Sequence, residues 1–251
     1  MNALILAAGY ATRLYPLTLH KAKPLLEVAG KPMIEWVLDN LAPVAGLETV
    51  YVVTNHKFAK DFQTWAHGYH QRHPALTPKI IDDGSNDDSD KLGAIGDVNL
   101  ALMRENNLAK NDLIIVAGDN LFSEPLVDFA KCAAGSDATL ATYDVGDLEA
   151  IKKYSSITID SAGIITAFEE KPSEPKNTLA GIALYYFSRG IVPLFGTYLA
   201  EGNNPDQPGR FIQWLYPRKP VKAHQIGGTW FDIGSKETLE EANQIFAKFA
   251  A

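Results

Sequence analysis

The sequence predicts an α/β protein with a mainly parallel sheet covered on both faces by helices. Two observations carry that expectation. Short apolar runs recur along the first half of the chain, and stretches of helical period lie between them. A third observation qualifies it: beyond residue 150 the alternation gives way to a hairpin pattern.

The expected strands of the first half are Ala3–Leu6, Val50–Thr54, Lys79–Ile81, Leu113–Ala117 and Ala138–Tyr143. The expected helices between them are Met33–Leu41, Phe58–His70, Ile95–Met103 and Pro125–Cys132. Phe58, Phe62 and Trp65 recur at i, i+4 and i+7 and read as a core stripe. Ser156–Ile159 and Ile164–Glu169 flank Asp160-Ser161-Ala162-Gly163, a turn sequence that makes them a hairpin. Ile182–Phe187 is a further strand; Phe211–Tyr216 and Thr238–Phe249 are helical. No repeat or long linker interrupts the chain. Residues 1–251 therefore read as one domain with an inserted hairpin region around 144–190.

The chain has 251 residues, 46% hydrophobic and 21% charged, which fits a globular protein rather than a disordered one. Its formal net charge of −7 argues against nucleic acid and anionic membranes as partners. A single cysteine, Cys132, excludes an intrachain disulfide and a Cys-rich zinc site. No run approaches the roughly 20 apolar residues of a membrane helix. The apolar start lacks the basic leader of a signal peptide, so the expected location is cytoplasmic. A homo-oligomer stays open.

The charge is unevenly spread. Glu27 is the first acidic residue, and Arg13, Lys21 and Lys23 precede it. Residues 1–26 thus carry +3 and the rest of the chain −10. In this head segment the apolar run ends in Ala7-Ala8-Gly9, followed by Thr12-Arg13-Leu14 and Lys23-Pro24-Leu25. Small residues let backbone N–H groups approach phosphate oxygens, and Arg13 and Lys23 supply cations for them. Taken alone, the segment reads equally well as a strand and loop with surface cations. Ala11 and Leu14 break a dinucleotide fingerprint, and Gly30-Lys31-Pro32 breaks a P-loop.

The segment closely resembles the N-terminal motif of the sugar-1-phosphate nucleotidylyltransferases, the glucose-1-phosphate thymidylyltransferase type in particular. Thr12, Arg13, Pro16, Leu17, Thr18, Lys23, Pro24 and Leu25 match; Ala11 stands for a glycine and Ala22 for a proline. Four further motifs follow in the family's order. They are Gly118-Asp119-Asn120, Glu170-Lys171-Pro172, Ala180-Gly181 before a strand, and Trp230-Phe231-Asp232-Ile233-Gly234.

The resemblance covers nearly the whole chain and implies a Rossmann-like, three-layer α/β/α sandwich with a mixed, mainly parallel sheet. It also implies a chain without the C-terminal β-helix domain of some members. The implied reaction joins an NTP to a sugar 1-phosphate and releases pyrophosphate. Its nucleophile is a phosphate oxygen already anionic at neutral pH. Positioning and charge stabilisation therefore carry the catalysis, and no general base is required.

By resemblance, Asp119 and Asp232 hold Mg²⁺, a hard cation that prefers oxygen ligands. Arg13 and Lys23 stabilise charge on the triphosphate and departing pyrophosphate. Leu6, Ala7, Ala8, Gly9 and Thr12 cradle the nucleotide. Asn120, Tyr154, Glu170, Lys171, Gly181 and Trp230 bind the sugar phosphate. Each motif has a plainer reading by itself: Asp119 as a turn aspartate, Asp232 as a helix cap, Glu-Lys-Pro as a charged turn. Ser155 departs from the family, which keeps a glycine after the tyrosine.

The stretch 82–90 holds five aspartates but fails the EF-hand spacing. The resemblance places Asp82 near a base-reading glutamine of the family and Gly93 on its base-reading glycine. A carboxylate only accepts hydrogen bonds, so Asp82 would favour the N3–H of uracil or thymine, hence UTP or dTTP. His67, His70 and His73 read as a solvated helix face. The rival functions are a cytidylyltransferase for a non-sugar alcohol phosphate such as phosphocholine, a non-catalytic nucleotide sensor, and a glycosyltransferase. The last normally shows Asp-x-Asp at its metal, where this chain has Asp119-Asn120-Leu121.

Overall fold

The computed structural model describes residues 1–249; residues 250 and 251, the end of the expected domain, lie outside the described residues. The strands are β1 Asn2–Leu6, β2 Glu27–Val28, β3 Lys31–Pro32, β4 Thr49–Thr54, β5 Lys79–Asp82, β6 Leu113–Ala117, β7 Asn120–Phe122, β8 Ala138–Asp144, β9 Ser155–Ile159, β10 Ile165–Glu170, β11 Leu179–Phe187, β12 Val221–Gln225 and β13 Trp230–Asp232. The helices are α1 Met33–Leu41, α2 His56–Arg72, α3 Ala94–Arg104, α4 Asn106–Ala109, α5 Val127–Ala133, α6 Leu148–Ile151, α7 Leu194–Ala200, α8 Pro208–Leu215 and α9 Lys236–Phe246. The fold is the expected α/β type with a mixed central sheet.

Every expected strand and helix is present, with ends shifted by a few residues at most. The elements the sequence did not reveal are short or polar. β7 and β13 have three residues each, too few to display a period, and β12 reads Val-Lys-Ala-His-Gln.

The chain forms two compact units, each discontinuous in sequence. The first comprises Met1–Leu92, Val116–Val127 and the chain from Gly228. Within it β1, β4 and β5 run parallel, with Leu4 opposite Tyr51 and Val52 opposite Ile80. Ala3, Leu4, Ile5 and Val50 to Val53 are fully buried, as expected of strands covered on both faces. Helix α2 packs on β4 and β5, burying Phe58 and Phe62 of the expected stripe.

A second core in this unit joins Met33 and Trp36 of α1 to Val28, Leu121, Ile233 and Phe246. Phe246 meets Trp36 edge to face at 5.1 Å. This core fixes the antiparallel ribbon of β7 and β13, in which Asp232 lies opposite Asn120. Helix α9 behind the ribbon begins with a capping box between Ser235 and Thr238. The cap of this helix is therefore Ser235 and not Asp232.

The second unit comprises Gly93–Ile115 and Asp128–Gly227. Five of its strands lie in the order β12–β8–β11–β9–β10, and of these four pairings β12 with β8 is parallel and the rest are antiparallel. The expected hairpin is β9–β10, closed by Asp160, whose carboxylate accepts from the N–H groups of Ala162 and Ile164. Phe187, Phe195 and Phe211 pack together, with the last two rings stacked at 3.9 Å between centroids. Among the described residues, no helix is long and apolar enough to cross a membrane.

Candidate active site

The head segment is built around the end of β1. Ala7 N–H still bonds to Val53, and the Ala8 carbonyl then accepts from Asn55 Nδ2 at 2.9 Å. The Asn55 Oδ1 atom caps α2 by accepting from Phe58 N–H. One buried side chain thus ties the small-residue turn to a helix start. Gly9 is exposed, and a Cβ placed there would meet nothing within 4 Å. No protein contact demands this glycine, and the turn is open at that point. The Tyr10 hydroxyl is buried against Ser85 Oγ at 3.1 Å. Ala11 adopts a left-handed conformation, φ 48°, at the position where the resembling family keeps glycine. Its carbonyl accepts from Thr18 Oγ1 at 2.8 Å and from Leu14 N–H at 3.0 Å.

Two 3₁₀ turns present the cations. In Thr12–Leu14 the buried Leu14 anchors the turn and leaves Arg13 exposed. In Lys23–Leu25 the buried Pro24 and Leu25 anchor the turn, and Lys23 is mostly covered, its side chain 11% exposed. The Lys23 Nζ atom lies 2.5 Å from Asp119 Oδ2. Gly118 permits this meeting, because a Cβ there would lie 3.2 Å from Ile5, the Leu6 carbonyl and Pro24.

Asp119 follows that glycine, and Asp232 ends β13 nearby. Burial first, and then the Asp119 carboxylate, push the Asp232 carboxyl up to about 6, while Lys23 and Arg13 pull it back. Two carboxylates thus share one half-buried place and repel each other, with two cations beside them. Such a donor set fits a hard divalent cation, which would remove the repulsion. Among the described residues no group of three or more His, Cys, Asp or Glu gathers as a metal cage. Two carboxylates suit Mg²⁺, which keeps water and substrate phosphate as its other ligands.

The acidic stretch of the first unit is folded on itself. Asp83 and Ser85 are buried, and Asp83 accepts from Ser85 N–H at 2.6 Å and from Ser85 Oγ at 2.9 Å. Asp90 accepts from the N–H groups of Asn86 and Asp87. Asp82 accepts from Gly84 N–H at 2.8 Å and lies 2.6 Å from His56 Nδ1. That hydrogen bond, then the charge of Asp82, raise the His56 pKa.

The second unit holds the other residues named from the sequence. Ser155 lies opposite Glu170 on one side and opposite Gly181 on the other, so three strands bring these residues into one row. Ser155 Oγ donates to Glu170 Oε2. Lys171 N–H bonds to the Tyr154 carbonyl at 2.9 Å, and Lys171 itself has a positive φ of 49°. Gly209 in α8 faces the same row: a Cβ there would lie 3.5 Å from Ser155 Oγ and 3.6 Å from Glu170 Oε2. Gly93 has a local reason to be glycine. Its φ is +78°, and a Cβ would lie 2.7 Å from the Pro205 carbonyl.

Asn120 and Trp230 are buried in the β7–β13 ribbon and bonded to each other. Sequence reasoning did not single out Asn55, Ser85 or Gly209. Of these, only Asn55 had a legible signal, as a cap residue just before a helical stretch.

Comparison with known proteins gives the family and the fold. The family model of the nucleotidyl transferases matches residues 2–248. The bifunctional protein GlmU of Methanocaldococcus jannaschii is 24% identical over 97% of this chain and 54% of its own length. A glucose-1-phosphate adenylyltransferase of Clostridium acetobutylicum is 28% identical over 96% of this chain and 66% of its own. The chain thus spans about half the length of the first relative and about two thirds of the second. A Bacillus anthracis protein described as a glucose-1-phosphate thymidylyltransferase, crystallised with sucrose, shares the fold. Its TM-score is 0.79 at 22% identity, over 98% of this chain and 95% of that one. With its model matched along almost its entire length, the chain belongs to the nucleotidyl transferase family.

Proposed function

We propose that this protein transfers a nucleotidyl group from an NTP to a sugar 1-phosphate, giving a nucleotide-sugar and pyrophosphate. The observation that carries the reading is the gathering of Arg13, Lys23, Asp119 and Asp232 in the first unit, beside a small-residue turn. Such a cluster suits a reaction between two anions. Lys23 and Arg13 would offset the phosphate charge and stabilise what develops at the α-phosphate. Asp119 and Asp232 would hold a divalent cation, which would supply positive charge to offset that of the phosphates. The nucleotide would lie on the backbone from Leu6 to Gly9 and on Thr12.

In the second unit, Tyr154, Glu170, Lys171 and Gly181 are proposed for the sugar 1-phosphate. Lys171 would take the phosphate, and Glu170 would accept from sugar hydroxyls. For the base we propose uracil or thymine, read by Asp82 and Gly93. A carboxylate only accepts hydrogen bonds, which suits the N3–H of either base.

The test is a pyrophosphate-release screen of ATP, CTP, UTP and dTTP against a panel of sugar 1-phosphates and phosphocholine, with Mg²⁺ and folded protein. Turnover with UTP or dTTP and a sugar 1-phosphate is expected. Turnover with ATP instead would remove the base assignment, and turnover only with CTP and phosphocholine would favour the alcohol-phosphate rival. No release with any pair would sink the enzyme reading.

A further inference from the structure

We propose that Trp230 and Asn120 are positioning residues that hold the Asp119 carboxylate in the orientation its metal requires. The inference rests on the metal reading of Asp119 and assigns these two side chains to that aspartate rather than to substrate. Both are buried, at 7% and 3% relative exposure. The register of β13 on β7 sets Trp230 opposite Phe122 and therefore diagonal to Asn120. Trp230 Nε1–H donates to Asn120 Oδ1 at 2.8 Å, and Asn120 Nδ2–H donates to Asp119 Oδ1 at 3.0 Å.

The indole fixes the sense of the relay. An indole N–H only donates, so the amide atom facing it must be the oxygen. The amide nitrogen is thereby turned towards Asp119. The opposite amide orientation would set an oxygen against a carboxylate and leave the indole N–H facing a donor. One Asp119 oxygen is thus held by a rigid neutral donor, while the other meets Lys23 at 2.5 Å. The rigid bond sets the plane of the carboxylate. Lys23 sits on a long flexible stem, so the Oδ2 position is exchangeable between an ammonium and a metal ion. Outer-shell donors of this kind orient metal-binding carboxylates, and their loss typically weakens metal binding about 10-fold or more.

The test is Mn²⁺ binding to the full chain, titrated by electron paramagnetic resonance without substrate, with Asp119→Asn as the site control. Trp230→Phe removes the N–H and keeps an aromatic ring at the position. It is expected to raise the Mn²⁺ Kd about 10-fold. Asn120→Ala is expected to raise it similarly. The double variant should be no weaker than Asn120→Ala alone, because the indole acts only through the amide. Should Trp230→Phe fail to fold, Asn120→Ser serves in its place, since its short side chain cannot span from the indole to Asp119. Unchanged Mn²⁺ affinity in the folded variant overturns the relay alone, as do effects that add in the double variant. Absence of Mn²⁺ binding by the unaltered chain overturns the metal reading and the relay with it.

Discussion

Ala11 holds a left-handed backbone conformation in which an L side chain is strained by about 1–2 kcal/mol. Thr18 and Leu14 fix its carbonyl, so the conformation belongs to the turn and not to the side chain. Ala11→Gly relieves the strain but adds freedom to the unfolded chain. The expected net gain is about 0.5–1 kcal/mol in urea unfolding. Asp232 makes the opposite case, a residue whose role works against stability. Its carboxyl titrates at about 6 in the fold against an ordinary 3.8, so its ionised form disfavours folding. That cost is fully present above the folded value and is relieved as pH falls from about 6 towards 3.8. Asp232→Asn is therefore expected to raise stability by on the order of 2 kcal/mol near pH 8, measured without metal, while losing most turnover. Lower stability together with full activity would contradict both parts.

At the scale of elements, the regular strands and helices were legible because each has a clear period or a continuous apolar run. Met33–Leu41 and Leu113–Ala117 were placed to the residue. The ribbon β7–β13 was not legible, because three residues show no period and its partner strand lies more than 100 residues away in sequence. Its importance was visible only as the motifs around Asp119 and Asp232. Ser155 likewise showed in the sequence as a departure from a family pattern. Its bond to Glu170 needed the register of β9 against β10. The acidic stretch read as solvated charge, yet it is tied to Tyr10 and His56 through Ser85 and Asp82. The His56 pKa is raised, so its ion pair with Asp82 is complete below the ordinary value of 6.5 and is lost as pH rises through the folded value. Hydrogen-exchange protection of residues 82–92, corrected for intrinsic rates, should fall as pH rises above 6.5. His56→Ala should abolish that dependence; an unchanged profile in the variant would show that another group controls the loop.

For the molecule as a whole, a net charge of −7 conceals a head segment at +3. The overall figure bears on large anionic partners, whose binding depends on the summed field. Small phosphates respond instead to the local arrangement, and there Arg13 and Lys23 stand beside Asp119 and Asp232. The account's central claim is that this arrangement joins an NTP to a sugar 1-phosphate. Phosphorus-31 NMR of the protein with Mg²⁺, UTP or dTTP and a sugar 1-phosphate tests it most directly. The account predicts loss of the sugar monophosphate signal and growth of a diphosphate pair, with pyrophosphate in equal amount. An unchanged sugar monophosphate signal, with the NTP intact or hydrolysed to the diphosphate and inorganic phosphate, would contradict it.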